Sequence, residues 1–154
     1  MLHFSETGEP NMQQNTTIVG LSLVTTNEEA FNQQSIATLW QKFLSTPIKD
    51  QLPQVSSPSI FAVYSDYENE HHGKYKITLG FAVPENVSIP QGLSSVIIPA
   101  GNYQTFQSKS QDPTDIVATW KRIWEADPTA LKRLYATDYE EYGENEMAIH
   151  ISCK

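Results

Sequence analysis

Glu140 and Tyr142 are the residues whose types and spacing best suggest chemistry. They stand two apart in Asp138-Tyr139-Glu140-Glu141-Tyr142, and a strand sends alternate residues to one face. A carboxylate and a phenol therefore lie side by side. After a turn at Gly143-Glu144-Asn145 the chain returns as Glu146-Met147-Ala148-Ile149-His150-Ile151-Ser152-Cys153. Met147, Ile149, Ile151 and Cys153 share one face of that arm, and Ala148, His150 and Ser152 share the other. The pattern predicts a C-terminal hairpin with Glu140 and Tyr142 on its less apolar face. If that face lines a cavity, it suits a positively charged, flat, apolar ligand. The carboxylate supplies the opposite charge, and surrounding rings add cation–π attraction of ~0.5–2 kcal/mol. A carboxylate in an apolar groove is desolvated and holds its proton more tightly until a cation or hydrogen bonds compensate it. The ordinary alternative is a strand glutamate facing water.

Other groups offer less. Tyr64 and Tyr103 fit either a pocket wall or a half-buried sheet. Trp40 and Trp120 sit on apolar helical stripes, where core packing is the plainer reading and contact with a ligand the other. His150 fits a pocket lining that titrates near neutral pH, or a partly exposed strand position. Glu70-His71-His72 lies in a polar turn where adjacent histidines diverge, so it reads as solvated loop and no metal site is expected. Cys153, the single cysteine, falls on the apolar face and reads as buried and unreactive. There is no Gly-rich phosphate loop, metalloprotease helix or nucleophile elbow, and no cofactor is implied.

The bulk numbers set limits. A chain of 154 residues with 39% hydrophobic and 18% charged content is one globular domain. The net charge of −8 and the lack of a basic run argue against direct nucleic-acid binding. No apolar segment has the length of a membrane span or the form of a signal peptide. A cytoplasmic location is expected.

These elements must position the candidate residues. Residues 1–14 read as a flexible N-terminal tail, and 15–154 as the domain. Thr17–Thr25 is rich in β-branched residues and predicts a strand. Asn27 is expected to cap a helix whose stripe is Ile36, Leu39, Trp40 and Phe43. A Pro- and Ser-rich loop follows to Ser59. Ile60–Tyr67 and Tyr75–Val83 predict a hairpin. Leu93–Ser108 predicts one strand interrupted at Pro99-Ala100-Gly101. Asp112-Pro113 opens a second helix with Ile116, Trp120, Ile123 and Trp124. It ends at Asp127-Pro128, and the final hairpin follows.

The order strand, helix, strand, strand therefore occurs twice. Ile36-Ala37-Thr38-Leu39-Trp40-Gln41-Lys42-Phe43 resembles Ile116-Val117-Ala118-Thr119-Trp120-Lys121-Arg122-Ile123 at an offset of 80. Phe61-Ala62-Val63-Tyr64 resembles Tyr139-Glu140-Glu141-Tyr142 at an offset of 78. An α+β fold of duplicated βαββ is expected, with halves at about 15–84 and 91–154, antiparallel sheets, one main helix per half and a central groove. Tyr64 and Tyr142 would then face each other, with Ala62 as the counterpart of Glu140.

The chain resembles the GyrI-like small-molecule-binding domains, which also form the effector-binding half of AraC- and MerR-type drug-sensing regulators. The similarity runs from about Thr17 to the C-terminus. It rests on Ile18-Val19-Gly20-Leu21, Leu39-Trp40-Gln41-Lys42-Phe43, Phe61-Ala62-Val63-Tyr64-Ser65-Asp66-Tyr67-Glu68 and Leu79-Gly80-Phe81-Ala82-Val83. The second half adds Ile98-Pro99-Ala100-Gly101-Asn102-Tyr103, Trp120 with Trp124, and the closing Ile149-His150-Ile151. The resemblance implies a central aromatic pocket for hydrophobic, often cationic compounds. Its glutamate would be Glu140, with Tyr142 as companion and Tyr64 and Tyr103 among the walls. Where drug sensors of this kind can carry an acid followed by a tyrosine on the last strand, this chain has Ala148 and His150.

The expected function is binding rather than turnover: a receptor for hydrophobic, cationic aromatic compounds that sequesters them or serves a transcription regulator. Two alternatives share the pocket or the fold. One is a hydrolase of hydrophobic electrophiles using the pocket glutamate and a tyrosine. The other is a gyrase-inhibitor-like interaction module. With no helix-turn-helix in the chain, any DNA-binding partner is expected to be separate.

Overall fold

The computed structural model describes residues 12, 14–69, 73–126 and 131–154, without the side chains of residues 31 and 32. The expected tail lies outside these except for Met12 and Gln14. Glu70-His71-His72 and Asp127-Pro128 lie outside them too. The fold is α+β, built on a seven-stranded antiparallel sheet.

The first strand, β1 (Thr16–Thr26), leads into a short helix, α1 (Asn27–Asn32). Thr26, not Asn27, is the cap: its hydroxyl accepts from the Glu29 amide at 3.0 Å. The helix expected from Asn27 onward is broken, because Gln34 adopts a left-handed conformation with φ 54° before α2 (Ser35–Ser45). A single turn, α3 (Ile48–Gln51), stands within the predicted loop and buries Ile48. The hairpin β2 (Ile60–Ser65) and β3 (Lys74–Val83) follows.

Residues 93–108 form two strands that part company, β4 (Ser94–Ile98) and β5 (Asn102–Gln107). The helix α4 (Pro113–Ala126) starts where Asp112 Oδ1 accepts from the Thr114 amide at 2.9 Å. The chain closes with β6 (Asp138–Tyr142) and β7 (Met147–Cys153).

The sheet order is β4-β1-β3-β2-β6-β7-β5. Its two edge strands are consecutive in the chain, joined by Pro99, Ala100 and Gly101. Six inter-strand gaps in a flat sheet would part the edges by roughly 29 Å. A link of this length reaches about 14 Å. The sheet must therefore curl until its edges approach. Gly20 and Gly80 allow part of this, since they face each other across β1 and β3 and a side chain on either would strike the opposite backbone. Met12 pairs with Gly101 near the link.

Both sheet faces carry buried residues. On one face Val19, Ala62, Ile77, Leu79 and Phe81 pack under Leu39 and Phe43 of α2. On the same face Phe106, Met147, Ile149 and Ile151 pack under Ile123 of α4. The other face gathers Ile18, Phe61, Val63, Ala82, Ile98, Tyr103 and Tyr139. Within each run of strand, main helix, strand and strand, the third strand lies between the first and second. The two runs meet where β2 pairs with β6, and Trp40 of α2 and Trp120 of α4 reach that seam.

Candidate functional site

Glu140 sits at that seam, only 3% exposed. On one side it faces Ala62 of β2, and on the other Ile149 of β7. Its face is therefore the apolar one carrying Met147 and Ile149, not the less apolar one expected from the hairpin alone. The pairing Tyr142↔Met147 fixes this register.

Three neutral groups donate to the carboxylate. Trp120 Nε1 reaches Oε2 at 2.7 Å, Tyr64 reaches the same oxygen at 3.2 Å, and Tyr142 reaches Oε1 at 2.7 Å. Among the described residues no lysine, arginine or histidine pairs with it. Burial pushes the Glu140 pKa upward, and the three hydrogen bonds oppose that shift by favouring the charged form. Burial first, then the adjacent Glu140, raises Tyr64 well above the ordinary phenol range. Tyr75, packed on Tyr64 with ring centroids 5.8 Å apart, is pushed up to about 12 by the same two causes.

The aromatic shell is continuous. Trp40 meets Tyr142 edge-on at 5.0 Å, and Trp120 meets Tyr64 edge-on at 5.5 Å. Tyr64 and Tyr142 do not oppose each other directly, since Tyr64 pairs with Asp138 and Tyr142 with Ile60. They flank Glu140 instead, and both hydroxyls turn onto it. A central aromatic pocket with Glu140 as its glutamate was expected. Here the carboxylate is covered by its own donors. Surface hollows beside α4 and at the end of α2 have linings that do not include it. Chemically the site is a charge acceptor under rings: it can meet a cation by ion pairing and by cation–π contact.

Two candidate residues lie elsewhere. Tyr103 and His150 occupy the opposite face, because Tyr103 pairs with Ser152 and His150 with Thr105 and Tyr139. The Tyr103 hydroxyl donates to the Pro99 carbonyl at 2.6 Å. His150 stacks on Tyr139 at 4.5 Å and contacts Thr105 at 2.9 Å and Glu141 at 3.2 Å. Of the seven residues singled out, the structure brings together Glu140, Tyr142, Tyr64, Trp40 and Trp120. Cys153 is buried, as expected, and burial raises its thiol pKa.

A second buried carboxylate escaped the sequence reading. Asp138 is fully buried and accepts from Arg133 Nη2 at 2.8 Å, Tyr67 at 2.7 Å, and the Ser152 amide and hydroxyl at 2.8 and 3.1 Å. Arg133 also lies 4.2 Å over the Tyr135 ring. Nothing in the spacing of Tyr67, Arg133 and Asp138 announces this cluster, since its members come from separate loops and strands. Tyr75 shares the Glu140 face through the register of β3, β2 and β6, which its alternation with Ile77 and Leu79 does not reveal.

Comparison with known proteins bears on this arrangement. A family model described as Cass2, integron-associated effector binding protein, matches residues 13–151. A Bacillus subtilis (strain 168) protein named "Putative transcriptional regulator protein YobU" is 33% identical over 129 residues, covering 82% of this chain and 80% of the relative. An integron cassette protein from the mobile metagenome of Vibrio cholerae has the same fold, with a TM-score of 0.75, 23% identity and 99% of each chain covered. The protein SAV2435, whose structure was solved bound to tetraphenylphosphonium, also has it, with a TM-score of 0.73 and 15% identity. That match covers 100% of this chain and 94% of SAV2435.

Proposed function

The chain belongs to the integron-associated effector-binding family, and on that premise we propose that it is a receptor for hydrophobic, cationic aromatic compounds held at Glu140. Tyr64, Tyr142, Trp40 and Trp120 form the walls of the site. The observation that carries this reading is a buried carboxylate with three neutral donors and no cationic partner among the described residues. A permanently charged organic cation provides the missing charge and has no need of hydrogen-bond partners of its own. SAV2435, with its phosphonium ligand, supports the same class of ligand for this fold.

The closed state of the site fits this function. Without ligand, the indole and the two phenols keep Glu140 from being an unsatisfied buried charge. A ligand must part these donors to enter, and it offers ion pairing and ring contact in return. The matching strand order of the two runs supports a βαββ duplication about an axis between β2 and β6, within one domain from residue 15 onward. Ala62, the counterpart of Glu140 across the seam, leaves the charge single and the site asymmetric. The regulator name of its Bacillus relative supports service to transcription control.

Calorimetric titration with tetraphenylphosphonium tests the reading. Saturable binding by the wild type, weakened in Glu140→Gln, is expected. Equal binding by both proteins would remove Glu140 from the site, and absence of binding by the wild type would end the receptor reading.

A further inference from the structure

Trp124 is 47% exposed, an unusual state for the largest apolar side chain. It stands one helical turn beyond Trp120 on α4, about 6 Å farther along the axis. The two indoles are 6.1 Å apart and tilted by 30°. Trp120 in turn donates to Glu140 and packs edge-on against Tyr64. The rings thus form a ladder from the buried carboxylate to the surface. Val117, two turns before Trp124 on the same flank, is also exposed at 49%. Lys121 lies between them in the helical spacing and lines the adjoining hollow with Val117. Val117, Lys121 and Trp124 offer no carboxylate to a cationic centre, while an uncharged ring is well matched to them.

Building on the receptor reading, we infer that Trp124 is an outer subsite, taking an uncharged aryl arm of the ligand whose cationic centre sits at Glu140. Charge is recognised inside and shape outside. The preferred ligands are then elongated: an onium head carrying an arm of two or more rings, long enough to pass Trp120. A compact one-ring onium engages only the inner part. Trp124 is not one of the three donors to Glu140, so its removal takes none of those groups away.

The test uses a matched pair of probes, benzyltrimethylammonium and its 4-phenylbenzyl homologue, titrated by calorimetry into the wild type, Trp124→Ala, Trp124→Phe and Glu140→Gln. The wild type should prefer the two-ring probe. Trp124→Ala should lower that preference by about fivefold, the size of one aromatic contact, without changing one-ring affinity. Trp124→Phe should restore most of it, and Glu140→Gln should weaken both probes. An unchanged preference in Trp124→Ala overturns the subsite, as does an equal loss for both probes, and either result leaves the receptor reading standing when Glu140→Gln still weakens binding. Failure of the wild type to bind either probe overturns the receptor reading and the subsite with it.

Discussion

Two buried carboxylates stand two residues apart on β6, and the protein treats them differently. Asp138 has a guanidinium at 2.8 Å and three further donors. Glu140 has an indole and two phenols, all neutral. The first arrangement is closed electrically: burying the aspartate is offset by burying its own cation. The second satisfies hydrogen bonding but not charge. That difference separates a carboxylate whose charge the fold itself balances from the one proposed to receive a ligand.

The comparison can be broken most severely at Arg133. Arg133→Met leaves Asp138 buried without its cation and is expected to destabilise the fold by about 3–5 kcal/mol in urea denaturation. Adding Asp138→Asn should recover part of that loss. A cost below about 1 kcal/mol would mean that Asp138 does not depend on its arginine in the way described.

Glu140→Gln should behave in the opposite sense. Cation affinity is expected to fall at least about tenfold, or ~1.4 kcal/mol. Stability at neutral pH should hold or rise, because a costly buried charge is gone. The sign follows from the raised pKa of Glu140. The folded state favours its protonated form, so the stability it contributes is fully present below the unfolded value. That contribution is lost as pH rises through the folded value. Denaturation from acid to neutral pH should show the mutant gaining on the wild type as pH rises. Cation binding runs the other way: wild-type affinity should fall as acid protonates Glu140, and the mutant profile should be flat.

Smaller changes sharpen the contrast. Tyr142→Phe removes a 2.7 Å bond to Glu140, and Tyr64→Phe removes one of 3.2 Å. Each should cost about 1 kcal/mol or less, with the Tyr142 change the larger, and each should shift the acid limb of cation binding to higher pH. Smallest of all, His150→Gln should leave cation affinity unchanged, since His150 stands on the other face of the sheet. A loss of affinity there would show that the two faces communicate.

Much of the fold was legible because its signals are local. Alternation in Tyr75–Val83 and Met147–Cys153 marked β3 and β7, and the stripes around Trp40 and Trp120 marked α2 and α4. Asp112 and Pro113 marked the start of a helix. Glu140, Tyr142 and Tyr64 stood out as possible site residues, and they converge. The misreadings have physical causes. Gln34 takes a left-handed conformation that no glycine announced, and it split the first helix. The Pro99-Ala100-Gly101 interruption was visible, but local pattern does not say that the arms on either side join opposite edges of the sheet. Trp120 packs against a core cluster, as its helical spacing indicated, but spacing does not say where an indole N–H points.

The sequence by itself determined periods and parities: which residues share a face within one strand or one helix. It thereby set Glu140 beside Tyr142. The tertiary structure decided which faces meet. Register placed Glu140 against Ile149 and Ala62 rather than on the side of His150, and the packing of α2 and α4 on either side brought Trp40 and Trp120 to the seam. The reason is that alternation is a property of the backbone, whereas register and helix placement depend on contacts between residues far apart in the chain. A one-residue slip in β6 would have preserved every local pattern and turned the carboxylate to the opposite face.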